Sequence, residues 1–264
     1  MCAPNIQQNE SQINIDRTNR FPDEYEIRDI PDGLKRVGSR VTRTFTLSVY
    51  SPEDKDMPVY ISGRRKNTVN GILYKNDPAI LAWQLGNEFG SYPGDRGLKY
   101  EEWSPKILAW SLEMDAYIKK ADQNHLVMEA GGADRSKLIA DPNIEIISDH
   151  LYEYWNRMSG RPWVLSPLAL ESYNQCKGKK PLIIDEFGLG STENLRELMK
   201  TIRESNIAGG LMWSIRSHRR DGGWYYHNEG GTPVSSFHIP GFSAGFGNDE
   251  IKILELLRKE ALIN

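Results

Sequence analysis

One pattern recurs along this chain and constrains it more than any other. Short apolar runs end in polar residues and alternate with helical stretches. AILAWQLGNE (79–88), IEIISDHLY (144–152) and PLIIDEFG (181–188) are such runs. A continuous apolar run of this length reads as a strand buried on both faces, the habit of parallel sheets covered by helices. Residues 40–50, 125–130 and 209–215 read as further strands. Helices are expected at 104–121, at 192–205 after a Ser191 or Thr192 cap, and at 249–262. Polar groups collected at strand C-termini are what a parallel α/β fold uses to build a site. An open nucleotide-binding sheet would carry a glycine-rich turn after its first strand. GLGST (188–192) lacks the lysine and the spacing of a phosphate loop and reads as a plain turn. Polar tips on several different strands instead favour a (β/α)8 TIM barrel, whose active site gathers at that face. A length of 264 residues fits one such domain, spanning 1–264.

The remaining segments complicate the picture. Residues 1–22 are polar and read as irregular. Residues 24–37 place Tyr25, Ile27, Ile30, Leu34 and Val37 at helical spacing. Pro31 and Gly33 interrupt them, and an internal proline costs a helix about 3 kcal/mol, so a kink or break is expected. Gly38 supplies a stop. Residues 51–78 are charged and proline-bearing and read as loop. In a complete barrel, the path between the strands at 40–50 and 79–88 would hold a helix, a strand and another helix, some 50 residues. Only 28 are present. The barrel is therefore expected to be incomplete, with its third strand and the flanking helices missing.

Bulk properties narrow the function by exclusion. A net charge of −3 and the absence of nucleic-acid motifs speak against a nucleic-acid partner. No apolar run is long enough for a membrane span. The first residues show no signal-type apolar stretch, so localisation stays open. The two cysteines, Cys2 and Cys176, are too few for a disulfide framework and are expected to be free thiols. No metal-ligand spacing is visible, and neither metal nor cofactor is expected.

The strand tips carry the chemistry. Hydrolysis of a glycosidic bond needs a proton for the leaving oxygen and an anion for the oxocarbenium-like centre, and two carboxylates supply both. Glu88 and Glu186 each end a strand. Carboxyls about 5–5.5 Å apart would act with retention, Glu88 as acid/base and Glu186 as nucleophile. A lone glutamate at a strand end is more often a solvated residue; the surrounding residues change that balance. AILAWQLGNE and PLIIDEFG closely resemble the acid/base and nucleophile strands of family 5 glycoside hydrolases. NTVNGILYKNDPAILAWQLGNE (67–88) resembles the endo-β-1,4-mannanase branch.

The resemblance implies further roles. Arg43, in VTRTFTLSV, falls where the family holds an arginine beside the nucleophile. His150 and Tyr152, in DHLYEYW, match a rim histidine and a tyrosine that hydrogen-bonds the nucleophile. Asn87 matches the asparagine that binds the sugar 2-hydroxyl, and Trp213 the tryptophan that floors the subsite. In SHRRDGGWYYHNEGG (217–231), His218, Trp224 and His227 are candidates for sugar contacts. Each has a plainer alternative: a core histidine for His150, a surface ion pair for Arg43, a core side chain for Trp213. The implied substrate is a β-linked poly- or oligosaccharide, the implied enzyme a monomer, and the family is usually secreted. A truncated, impaired carbohydrate-binding relative is the competing reading.

Overall fold

A computed structural model describes residues 2–6, 24–44, 66–67, 70–89, 100–131, 134–216, 218, 220–222, 237–238, 241 and 249–261. It divides into two compact units. Unit 1 comprises Met1–Thr46, Asp149–Asn174 and Ile183–Asn264, and unit 2 comprises Leu47–Ser148 and Gln175–Leu182.

Unit 1 is built on parallel strands. β1 (Cys2–Ile6), β2 (Arg43–Thr44), β5 (Ile147–Tyr152), β6 (Leu182–Gly188) and β7 (Gly209–Arg216) lie in the order β2-β1-β7-β6-β5, and β8 (Phe237–His238) also pairs with β7. Asn5 pairs with Arg43, and Cys2 with Gly210. The assignment of β1 corrects the reading of residues 1–22 as irregular. CAPNI has no alternation and contains Pro4, so local propensity is silent. Pairing with β7 on one side and β2 on the other makes the strand.

Helix α1 (Glu24–Arg36) runs through Pro31 without a break. This corrects the expected interruption: Ile30 and Val37 are buried, and tertiary packing of that face outweighs the local cost. Its C-terminus follows the glycine-stop rule. Gly38 has φ 73°, its N–H donates to Lys35 O, and Ser39 N–H donates to Leu34 O. These paired bonds satisfy carbonyls that a helix end otherwise leaves open.

Helices α4 (Glu153–Met158), α5 (Leu165–Cys176), α6 (Thr192–Glu204) and α7 (Glu250–Ala261) complete this unit. Its core is aliphatic: Leu165, Ile184, Leu195, Leu198, Ile253 and Leu257 are fully buried. Cys176, at the end of α5, is a buried free thiol.

Unit 2 holds β3 (Ala82–Gln84) and β4 (Leu126–Met128), paired in parallel, with α2 (Tyr100–Ala121) and α3 (Arg135–Ala140). Met128 bridges to Ile146. His125 ties the base of the unit together: Nδ1 lies 2.6 Å from Asp122 Oδ2 and Nε2 lies 3.0 Å from Asp77 O. Trp83 Nε1 also donates to Asp122. Between β2 and β3 the described residues hold a turn at Tyr74–Asn76 and a Lys66–Leu73 bridge. Residues 45–65 lie outside the described residues, as does most of the strand expected at 40–50. No described helix is long and apolar enough to cross a membrane.

Candidate active site

The C-terminal ends of β2, β5 and β6 meet within unit 1. Arg43 Nη1 donates to Glu186 Oε1 at 2.5 Å, and Arg43 Nε lies 3.6 Å from Asp185 Oδ2. Tyr152 Oη donates to Glu186 Oε2 at 2.5 Å. His150 stands between the two acids, with Nδ1 3.4 Å from Glu186 Oε2 and Nε2 3.3 Å from Asp185 Oδ1. Asp185 is 0% exposed and Glu186 3%. Such desolvated carboxylates persist only with partners. Burial alone would lower the pKa of the Arg43 guanidinium, but Asp185 and Glu186 more than offset this, and it is raised.

A local irregularity explains how two consecutive strand residues reach one cation. Successive strand side chains normally point to opposite faces. Between β6 and β7 the register runs Ile184 to Gly210 and then Phe187 to Met212, so β6 carries one extra residue across Asp185 and Glu186. A bulge of this kind re-aims side chains. A second shift falls where Pro4 pairs with Met212 and Ile6 with Ile215, across Trp213 and Ser214.

The structure thus brings together the four unit 1 residues Arg43, His150, Tyr152 and Glu186. Asp185 is the member that sequence reasoning missed. Its signal was present, a second acid beside Glu186 in an otherwise apolar strand.

Trp213 is 3% exposed and packs in a cluster with Tyr152 and Leu189, flanked by Tyr154 and Trp155. In this arrangement its contact is with the tyrosine that holds Glu186. Gly188 belongs to the same wall: a Cβ there would lie 2.5 Å from Trp213 O, so only glycine fits this close approach.

Two further polar nodes brace the site strands. Ser172 Oγ donates to Asp149 Oδ2, fixing the residue before His150. Glu153, directly after Tyr152, accepts from Ser191 N, Ser191 Oγ and Asn194 Nδ2, each at 2.9 Å. Ser191 in turn caps α6.

His218 N and Nδ1 contact the Asp29 carboxylate on α1 at 2.7 and 2.9 Å. Trp224 and His227 lie outside the described residues.

In unit 2, Asn87 and Glu88 follow β3 and are half-buried. Glu88 has φ 50°, a left-handed conformation uncommon for a side-chain-bearing residue. Its backbone runs close beside the segment that follows β4. Phe89 N–H donates to Ala130 O at 3.3 Å, and a Cβ on Gly131 would meet Glu88 Cα at 3.4 Å. Gln84 Nε2 donates to Glu129 O, joining the ends of β3 and β4.

Parallel strands carrying acids at their C-terminal ends define the class, an α/β fold with a cluster of buried carboxylates at one end of its sheet. Comparison with known proteins narrows this. Residues 55–155 match the family described as GH family 5 beta-mannosidase-like. Probable mannan endo-1,4-beta-mannosidase C of Aspergillus terreus is 29% identical over 215 residues, covering 71% of this chain and 52% of the relative. Mannan endo-1,4-beta-mannosidase 2 of Arabidopsis thaliana is 27% identical over 220 residues, covering 70% and 46%.

Among solved structures, the endo-beta-1,4-mannanase from Thermotoga petrophila superposes with a TM-score of 0.58 at 20% identity, covering 77% of this chain and 48% of that one. The endo-1,4-beta-mannanase from Rhizomucor miehei gives 0.56 at 23%, covering 77% and 59%. These likenesses establish a (β/α)8-type fold, to which the partial parallel sheets of the described residues belong. The chain is similar to glycoside hydrolase family 5 and its mannanases, and it spans about half the length of the curated relatives it matches.

Proposed function

We propose that this chain is a retaining glycoside hydrolase acting on β-1,4-mannan or a related β-linked polysaccharide. Glu186 attacks the anomeric carbon while the bond to the leaving sugar breaks, and Glu88 donates its proton to the leaving oxygen. Water then attacks the glycosyl-enzyme bond, returns a proton to Glu88 and releases Glu186. Asn87 binds the sugar 2-hydroxyl, His150 lines the rim, Trp224 supplies aromatic surface, and Trp213 backs the site from within its buried cluster.

The observation that carries this reading is the environment of Glu186. Arg43 and Tyr152 each bond one of its oxygens. The cation favours the ionised form that a nucleophile needs, and the hydroxyl orients it. The mannan-named relatives support the substrate class.

The extent of the match favours a second reading, a carbohydrate-binding relative without turnover. One experiment separates the two. Reducing-sugar release from soluble β-mannan is measured for the chain and for Glu186→Gln. Release that is lost in the variant supports the hydrolase. Binding of mannan by both without release supports the second reading.

A further inference from the structure

The outer surface of α2 is arranged unlike that of an ordinary surface helix. Its inward face carries Leu108, Ser111, Asp115, Ile118 and Asp122, all buried; three of these five are polar. About a quarter-turn round the helix, Trp103, Ile107, Trp110, Met114 and Tyr117 form an apolar stripe at alternating spacings of four and three. Trp110 is 41% exposed and Tyr117 46%, and the other three are half-buried. Phe89 packs edge-on against Trp110 at 5.4 Å and still leaves that indole open. An exposed helix face normally turns polar residues outward, and a contiguous apolar stripe marks a contact surface. In a complete barrel an outer helix packs between two neighbours.

We infer that this stripe is the interface of a two-fold homodimer in which α2 pairs antiparallel with α2 of a second copy, centred on Trp110. The self-complementarity of the helix carries the argument. A two-fold contact requires that residue i meet j wherever j meets i. With the axis at Trp110, Trp103 falls opposite Tyr117 and Ile107 opposite Met114. One flank of the stripe carries Glu102, Lys106, Glu113 and Lys120, all exposed. Like flanks face each other in antiparallel pairing, so Lys106 meets Glu113 and Glu102 meets Lys120. Every such pair lies within two residues of direct opposition, about 3 Å along the axis. In parallel pairing this flank would lie on opposite sides of the contact and its charges would not meet, so the complementary pairs belong to the antiparallel form. The dimer departs from the monomer expected from sequence and is independent of the proposed hydrolase activity. One helix pair is a small interface, and association in the micromolar range is expected.

Sedimentation velocity on the full chain, from about 1 to 100 μM, tests this. The sedimentation coefficient is expected to rise from monomer to dimer over that range. Trp110→Glu is expected to stay monomeric with an unchanged far-ultraviolet circular dichroism spectrum. Lys106→Glu is expected to weaken association about tenfold, and adding Glu113→Lys to restore it. That rescue is a readout that general destabilisation would not produce. A monomer at every concentration overturns the proposal. So does a dimer indifferent to Trp110→Glu, or a double charge reversal that fails to restore association.

Discussion

Arg43 lies 2.5 Å from Glu186 and 3.6 Å from Asp185, one buried guanidinium facing two buried carboxylates. The sharing gives Arg43 a structural role. Replacing it by alanine leaves two acids in a desolvated site without their cation. Arg43→Ala is therefore expected to cost about 3–5 kcal/mol of stability, the usual cost of breaking a buried ion pair from one side. Thermal unfolding followed by circular dichroism measures this. Arg43→Lys keeps the charge but loses the two-armed geometry. If the chain hydrolyses mannan as proposed, the acid limb of its rate profile moves to higher pH in this variant, because the nucleophile is then ionised less readily. An unmoved acid limb would count against coupling between Arg43 and the nucleophile.

Tyr152 offers a cleaner separation of chemistry from packing. Its ring belongs to the cluster with Leu189 and Trp213, while its hydroxyl donates to Glu186. Tyr152→Phe keeps the first and deletes the second. A hydrogen bond to a charged group contributes about 1.5–3 kcal/mol, so urea denaturation is expected to show a loss in that range. If the chain hydrolyses mannan as proposed, turnover is expected to fall by at least tenfold, with KM changed far less. A change in KM alone would place Tyr152 in substrate binding rather than in orienting the nucleophile.

These residues also show where sequence was sufficient and where it was not. Strands expected at 181–188 and 209–215 are observed at Leu182–Gly188 and Gly209–Arg216, because a doubly buried strand announces itself by continuous apolar composition. Helices expected at 192–205 and 249–262 are observed at Thr192–Glu204 and Glu250–Ala261 for a similar reason, a clear 3.6-residue period with a cap. β1 was illegible because its partners are remote in sequence. The bulge at Asp185 and Glu186 was illegible because strand periodicity alone would have put the two acids on opposite faces. Helices α3 and α4 have six residues each, too few to show a period. Helix α5 has twelve and was missed as well.

Glu153 follows Tyr152 and anchors the start of α6. Burial works to raise its pKa, but hydrogen bonds from Asn194 and Ser191 more than offset that, and it is held below the ordinary glutamate value. The ionised form is therefore bound more tightly in the folded chain than in the unfolded one. Its contribution is present above the unfolded pKa of about 4.3 and is lost as pH falls through the lower folded value. Glu153→Gln is expected to reduce stability at pH 7 by about 1.5–3 kcal/mol and to flatten the loss of stability on acidification. Denaturant titrations at neutral and acid pH compare the two slopes directly.

Asp115 has the opposite sign. It sits on the inward face of α2, 1% exposed, and its Oδ1 has no hydrogen-bond partner among the described residues. Burial raises its pKa to about 7, with Asp141 and Glu129 adding repulsion. Between the unfolded value near 3.9 and this folded value, the folded chain holds a proton that the unfolded chain has released. The contribution of Asp115 to stability is therefore complete below about pH 4 and is lost as pH rises towards 7. About three pH units at 1.36 kcal/mol each amount to a loss on the order of 4 kcal/mol. Asp115→Asn, close in shape and without the charge, is expected to be more stable than the wild type at pH 8 and nearly equal to it at pH 4. Melting temperatures of both proteins across this range give the difference curve. If the two curves run parallel from pH 4 to 8, Asp115 ionises in the folded chain as readily as in the unfolded one, and its burial must be relieved by neighbours that supply the missing hydrogen bonds.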